Sequence, residues 1–439
     1  MFEQYKSLLS ELVKFKSVST DASFLSEIQA TVVWYKKLFQ DNGFTVQVVE
    51  GHDNPLIVAD YVADSSLKTV LVYGHYDVQP ASKEEGWDSE PFALSERNGR
   101  LYARGVIDNK GQHLVHVVNV FKHIHNKTLG YNIKFLIEGA EEIGSPNLER
   151  FIKENRKFLK ADFVLLSDGE ISGNMPNIEI GFRGIFNATL NIKVGNVDLH
   201  SGMYGGFAPN AIHELAKIIS KFYTEDNRIS EDELYLESAP ITKEILENNK
   251  NIPFFQEEYE KITGKRKFFT ENNLDFYTKT GLLPSIEVTG IQSGYAGEGY
   301  RNAIPHKALA KINVRLSPTQ DPQRVFASFK KFLKKITPDY IDWDINCDQS
   351  GKGVFVEVDN EHVAGAKKIL ETVWQKPVAL KYVGGSLPII TFFKDNLDLP
   401  TLSIPLVNED CNMHGANENF ELSYLEKAME FSKIFFTKK

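Results

Sequence analysis

The sequence predicts an α/β protein in which a doubly wound, mostly parallel sheet is interrupted by an inserted α+β domain. Three observations predict it. Strand-like apolar runs alternate with amphipathic helical stretches up to residue 182, the pattern of a parallel sheet covered on both faces. From Arg183 the texture changes to longer runs of alternating polarity, the mark of half-buried strands. After Val356 the first pattern returns. The expected domains are therefore 1–182 and 357–439 as two parts of one unit, with 183–356 inserted. A chain of 439 residues exceeds one ordinary core, so two domains suit its length.

The elements follow in order. Phe2, Tyr5, Leu8, Leu9, Leu12, Val13 and Phe15 recur at helical spacing, and a second amphipathic helix is expected over 23–39. Strands are expected over 44–49, 56–62 and 69–73, then a helix over 110–125 and a strand over 132–137. A helix over 147–158 and a strand over 162–166 close this part. In the inserted domain, 184–194, 285–291 and 308–316 alternate as strands, with a helix after Pro209. A long charged stretch, 223–280, has no assigned role. A helix over 362–373 and a strand over 401–404 complete the first domain.

Hydrophobic residues make up 42% and charged residues 25%, the proportions of a soluble globular protein. A net charge of -9 argues against nucleic acid or an anionic membrane as the main partner. Two cysteines, Cys347 and Cys411, cannot build a disulfide framework and suit a reducing cytosol. Lys and Glu interrupt the first apolar pattern, so neither a signal peptide nor a membrane span is expected, and a cytoplasmic protein is.

Five metal-type residues stand where predicted strands run into loops or helices. They are His75 in GHYDVQP (74–80), Asp108 in RGVIDNKG (104–111), Glu142 in EGAEEIGS (138–145), Asp168 in LLSDGE (165–170) and His414 in NMHGANE (412–418). In an open parallel sheet ligands gather beyond the carboxyl ends of strands, so these segments are expected to converge. Singly, each residue is more often a helix cap or a structural histidine. Five at matching ends point instead to a two-metal hydrolytic centre.

A carboxylate can bridge two cations about 3.5–4 Å apart, the role expected for Asp108. His75 with Asp168 would then serve one metal and Glu142 with His414 the other, leaving a place for water. Glu141 is adjacent and unassigned to a metal, which fits a general base acting on the bridging water. Asp77 can accept the other ring N–H of His75 and fix its tautomer. Such ligands accept zinc, manganese or cobalt, with two divalent ions per subunit.

With these residues in place, the chain resembles the di-zinc metallopeptidase family that includes carnosinase, aminoacylase and carboxypeptidase G. Within it, the carnosinase and cytosolic non-specific dipeptidase branch is the most similar. GHYDVQP, GWDSEPF (86–92) and GRLYARGVIDNKG (99–111) carry the resemblance, which extends over most of the chain. It implies that His75, Asp108, Glu142, Asp168 and His414 bind metal, that Asp77 and Glu141 are catalytic, and that the Asp108–Asn109 peptide is cis.

The resemblance also implies that the inserted domain is a lid and dimerisation domain of a homodimer. His200, in DLHSGMYGG (198–206), would reach the active site of a second copy and stabilise the oxyanion. Arg315, in KINVRL, would hold the substrate's terminal carboxylate, with Gly384, Gly385 and Ser386 of GGSLP (384–388) on the same group. Asn302, before AIPH, stands where that branch carries Thr and would keep hydrogen bonding possible. Asp168, rather than Glu, resembles members that recognise a free amino end. The implied reaction is hydrolysis of dipeptides with free termini by a water or hydroxide bridging two metals. The alternative is an N-acyl-amino-acid deacylase with the same machinery.

Other features read as structural. His113, His116 and His123 follow Asp108 on one helix and are ordinary helix positions. Cys411 is inert despite its nearness to His414 in sequence. The Lys-rich run 261–267 is a solvated face, and Phe254, Phe255, Phe268 and Phe269 are packing residues.

Overall fold

Successive residues of the central strands bury themselves in two different cores, which is why these runs read as continuously apolar. Val70 and Val72 join one cluster, Leu71 and Tyr73 the other. Phe163 and Leu165 against Val164 and Leu166 repeat the division. The first core is closed by helices Phe2–Leu12, Leu25–Asp41, Lys110–Asn126, Glu361–Trp374 and Leu422–Phe436. The second is closed by Leu148–Glu154 and Pro388–Leu397. The sheet is doubly wound, as expected.

The computed structural model describes residues 1–254, 260, 264, 269 and 273–438. The Lys-rich run 261–267, Gly264 apart, and Phe255 and Phe268 lie outside the described residues. Among the described residues the large sheet has nine strands. Its order is Thr45–Val49, Leu56–Tyr61, Asn132–Glu138, Thr69–His75, Phe163–Leu166, Thr401–Ser403, Asn177–Phe182 and Val354–Phe355. Ala379–Val383 also pairs with Asn177–Phe182. The four strands from Asn132–Glu138 to Thr401–Ser403 are mutually parallel, so their carboxyl ends open on one edge.

The inserted part forms a separate antiparallel sheet in the order Ser285–Ser293, Lys307–Leu316, Gly184–Lys193, Asp342–Gly351. Phe186, Ala188, Leu190 and Ile192 are buried at every second position and pack with helices Ala211–Ile219 and Pro322–Ile336. Helices Lys243–Lys250 and Phe276–Leu282 lie instead against Ala379–Val383, where Ile252, Tyr277 and Ala379 are buried together. Part of the charged stretch therefore covers the nine-stranded sheet. Where the chain returns to that sheet, Gly353 is packed so closely that a Cβ there would stand 2.7 Å from the Gly184 nitrogen.

A small sheet of Ser95–Arg97, Arg100–Tyr102 and Asn419–Glu421 holds the loop after His414 beside the loop before Asp108. Its hairpin turns at Asn98 and Gly99, both at positive φ (51° and 72°), as a tight turn requires. Among the described residues no helix is long and apolar enough to cross a membrane.

Candidate metal centre

His75 ends its strand, and the parallel register sets Glu138 beside it, so Glu141 and Glu142 follow in the next turn. Asp168 follows Phe163–Leu166, Asp108 precedes helix Lys110–Asn126, and His414 lies in the loop before Asn419–Glu421. The five side chains meet. His75 Nε2 is 3.1 Å from Asp108 Oδ1 and 3.6 Å from Asp168 Oδ2. His414 Nε2 is 2.8 Å from Asp108 Oδ2 and 3.4 Å from Glu142 Oε2. Within each set the donor atoms lie within 4.8 Å of one another, and Asp108 belongs to both. Opposite oxygens of one carboxylate thus face two histidines, an arrangement able to bridge two cations.

The residues fit such ions. His75 Nε2 is buried and, among the described residues, makes no well-aligned hydrogen bond although Asp108 Oδ1 stands 3.1 Å away, a setting that suits an atom whose lone pair a cation takes. Imidazole and carboxylate donors suit borderline divalent ions. Burial pushes Glu142 up to about 8, with the charge of Asp108 adding to the shift. Burial also raises Glu141 well above the usual carboxylate range, and the carboxylates of Asp168, Glu142 and Asp108 add to it. His414 rises to about 9 through its bond to Asp108. Cations relieve this kind of crowding. His75 is fully buried, whereas the His414 side chain is 53% exposed, so the centre is closed on one side and open on the other.

Neighbouring groups fix the donors. Asp77 accepts the amides of Glu141 (3.2 Å) and Glu142 (3.0 Å) on its two oxygens. The Nδ1 of His75 lies 3.1 Å from the Asp77 carbonyl oxygen and 3.4 Å from its Oδ1. Gln79 donates to Glu142 Oε2 at 2.7 Å, and Asn109 donates to the Ser167 carbonyl at 2.6 Å. The peptide between Asp108 and Asn109 is cis, as the resemblance implies. His414 itself has φ 60°, a left-handed conformation that a non-glycine residue adopts at a cost and that clusters at functional sites.

The sequence reading missed Gln79, Arg104 and Glu418. Arg104 and Glu418 form an ion pair at 2% and 0% exposure behind the centre. Residue type alone does not separate such a pair from surface charges, although both stand inside the quoted motifs. The helix histidines are structural. His113 bonds Tyr35 and Asn109, and His116 bonds Ser432 and Ser167. Cys411 is buried and donates to Glu170, and burial raises its thiol pKa.

The remaining candidates make their hydrogen bonds with other residues. His200 is exposed in the lid, its Nδ1 accepting the Gly202 amide at 3.1 Å. It pairs with Ala303, and the neighbouring Asn302 carbonyl accepts the Ser201 amide. Arg315 donates to Ser386 Oγ at 3.1 Å, so the lid and the loop Gly384, Gly385 and Ser386 touch.

Residues 71–437 match the model of peptidase family M20/M25/M40. The human Beta-Ala-His dipeptidase is 30% identical over 401 residues, covering 87% of this chain and 77% of that protein. The Cys-Gly metallodipeptidase of Saccharomyces cerevisiae is 29% identical over 447 residues, covering 96% and 92%. The crystal structure of an M20 family metallo-carboxypeptidase from Sulfolobus solfataricus superposes with a TM-score of 0.87 at 28% identity, over 99% of this chain and 98% of that one. The shared fold and the match over residues 71–437 agree with the site: the chain belongs to peptidase family M20/M25/M40.

Proposed function

We propose that the protein is a metal-dependent dipeptidase acting on substrates with free amino and carboxyl ends. The observation that carries this reading is the sharing of Asp108 by two donor sets with Glu141 beside them. His75, Asp108, Glu142, Asp168 and His414 would hold two divalent cations, zinc first, with manganese or cobalt as substitutes. Such ions would supply Lewis-acid polarisation of a peptide carbonyl and a water of lowered pKa. Glu141 takes the proton of the attacking water and returns it to the leaving amine. Asp77 orients the His75 ring and carries the amides of Glu141 and Glu142, so base and ligand keep their spacing.

Arg315, with Ser386 and the backbone of Gly384 and Gly385, receives the terminal carboxylate, for which a guanidinium fork is well shaped. Asp168 marks the end that takes the free amine. His200 completes the site from a second copy and Asn302 hydrogen-bonds the substrate, giving a homodimer through the lid, where Met203, Phe207 and Ile291 stand exposed. A cytoplasmic location fits the cysteine content. The names of the human and yeast relatives, a Beta-Ala-His and a Cys-Gly dipeptidase, favour this over the N-acyl deacylase reading. The test is hydrolysis of a dipeptide panel before chelation, after chelation and after return of each metal. Activity indifferent to chelation would exclude the reading.

A further inference from the structure

Arg183 stands where the chain leaves Asn177–Phe182 of the large sheet for Gly184–Lys193 of the lid. Its bonds reach well beyond that crossing. The amide donates to the Gly385 carbonyl at 3.1 Å and Nε to the Gly384 carbonyl at 2.8 Å. A terminal nitrogen reaches the Leu283 carbonyl at 3.2 Å and Ser285 Oγ at 3.3 Å, where the chain enters the lid a second time. One side chain therefore joins two passages between the domains to the loop of Gly384, Gly385 and Ser386.

The far end of the same loop is held from the lid. Arg315 donates to Ser386, and the strand register sets Arg315 opposite both Ile185 and Ser285. Among the described residues the side-chain hydrogen bonds of Arg183 go to neutral acceptors, and burial, with the charge of Arg315 nearby, brings its pKa down to about 10. It stays a cation at neutral pH, and its planar fork acts as a directional clamp. The loop is seated closely: a Cβ on Gly384 would stand 3.1 Å from the Thr280 carbonyl and 3.4 Å from Arg183.

We propose that Arg183 is a positioning residue for the substrate's terminal carboxylate, holding the loop of Gly384, Gly385 and Ser386 at the hinge so that Ser386 and Arg315 form one pocket. This rests on the reading of Arg315 and that loop as the carboxylate site. Arg183 does not touch the reacting atoms, so its effect falls on KM and on end-group preference.

Metal-loaded wild type, Arg183→Gln and Arg183→Lys are compared on a free dipeptide and on its C-terminal amide. Hydrogen exchange is followed in peptides covering 383–387, 283–286 and 104–111. Arg183→Gln is expected to lose at least about tenfold in kcat/KM on the free dipeptide, chiefly through KM, and less than about threefold on the amide. Exchange at 383–387 and 283–286 rises while 104–111 keeps its protection. Arg183→Lys, which keeps one cationic donor, recovers part of the preference. Equal losses on both substrates, or unchanged exchange at 383–387, would overturn the proposal. A wild type without preference for the free carboxylate would overturn the carboxylate reading itself, a failure seen before any variant is made.

Discussion

Glu418 lies 2.6 Å from Arg104, both side chains shut off from solvent, and the pair binds together three of the loops that carry metal-type residues. The Glu418 carboxylate takes the amides of Gly105 (3.1 Å), Ile107 (3.0 Å) and Asp108 (3.3 Å). Arg104 reaches the carbonyls of His414 (3.1 Å) and Pro80 (3.5 Å). Breaking a buried ion pair by removing one partner strands the other charge, at about 3–5 kcal/mol. Arg104→Met is expected to lose that much stability in urea unfolding of the metal-free protein. Glu418→Gln keeps the shape but not the charge, and a weakening of metal affinity by about 10–100-fold is expected in chelator competition.

On the proposed reading Asp77 links ligand and base. Asp77→Ala removes the acceptor of the Glu141 and Glu142 amides together with the neighbour of His75 Nδ1. Activity is expected to fall about 10–100-fold even at saturating metal, as a misplaced base requires. Steady-state kinetics across a metal titration separates this from simple metal loss.

Metal addition is expected to raise the melting temperature of chelated protein, since ions bind the folded centre alone. At 100 times Kd the gain is about 2.7 kcal/mol per site. Asp108→Asn, which touches both donor sets, is expected to remove both increments, and Asp168→Asn one of them. Metal analysis of dialysed protein counts the ions directly.

Acid should destabilise the catalytic domain through two helix histidines. Burial lowers His113 and His116 to about 3 in the folded protein, against about 6.5 when unfolded. Between those values the unfolded chain binds more protons, so stability is complete above pH 6.5 and falls as pH drops towards 3. Each group contributes a slope of up to about 1.4 kcal/mol per pH unit. His116→Asn is expected to flatten the dependence of the urea midpoint on pH between 6 and 4.5.

The doubly wound sheet was legible because its strands are buried on both faces, so that runs such as 69–73 carry no polar break. The convergence of the candidate ligands was legible because His75, Glu142 and Asp168 follow such runs. What stayed hidden depends on distant partners or on polar strands. Asp342–Gly351 is an edge strand whose residues are mostly exposed, so it shows no apolar alternation. Asn177–Phe182 carries a buried Glu179 whose carboxylate accepts from Ser403, 224 positions away. Arg183 was visible as a change of texture, but its bond to Gly384 spans 201 positions.

The most direct test pairs a free dipeptide with its N-acetylated counterpart, using metal-reconstituted wild type and Glu141→Ala. The account predicts cleavage of the free dipeptide, little cleavage of the acetylated one, and a loss of about 100- to 10,000-fold in Glu141→Ala with metal content unchanged. Full activity in Glu141→Ala would contradict the assignment of the base. Cleavage of the acetylated compound alone would contradict the dipeptidase reading and leave a deacylase.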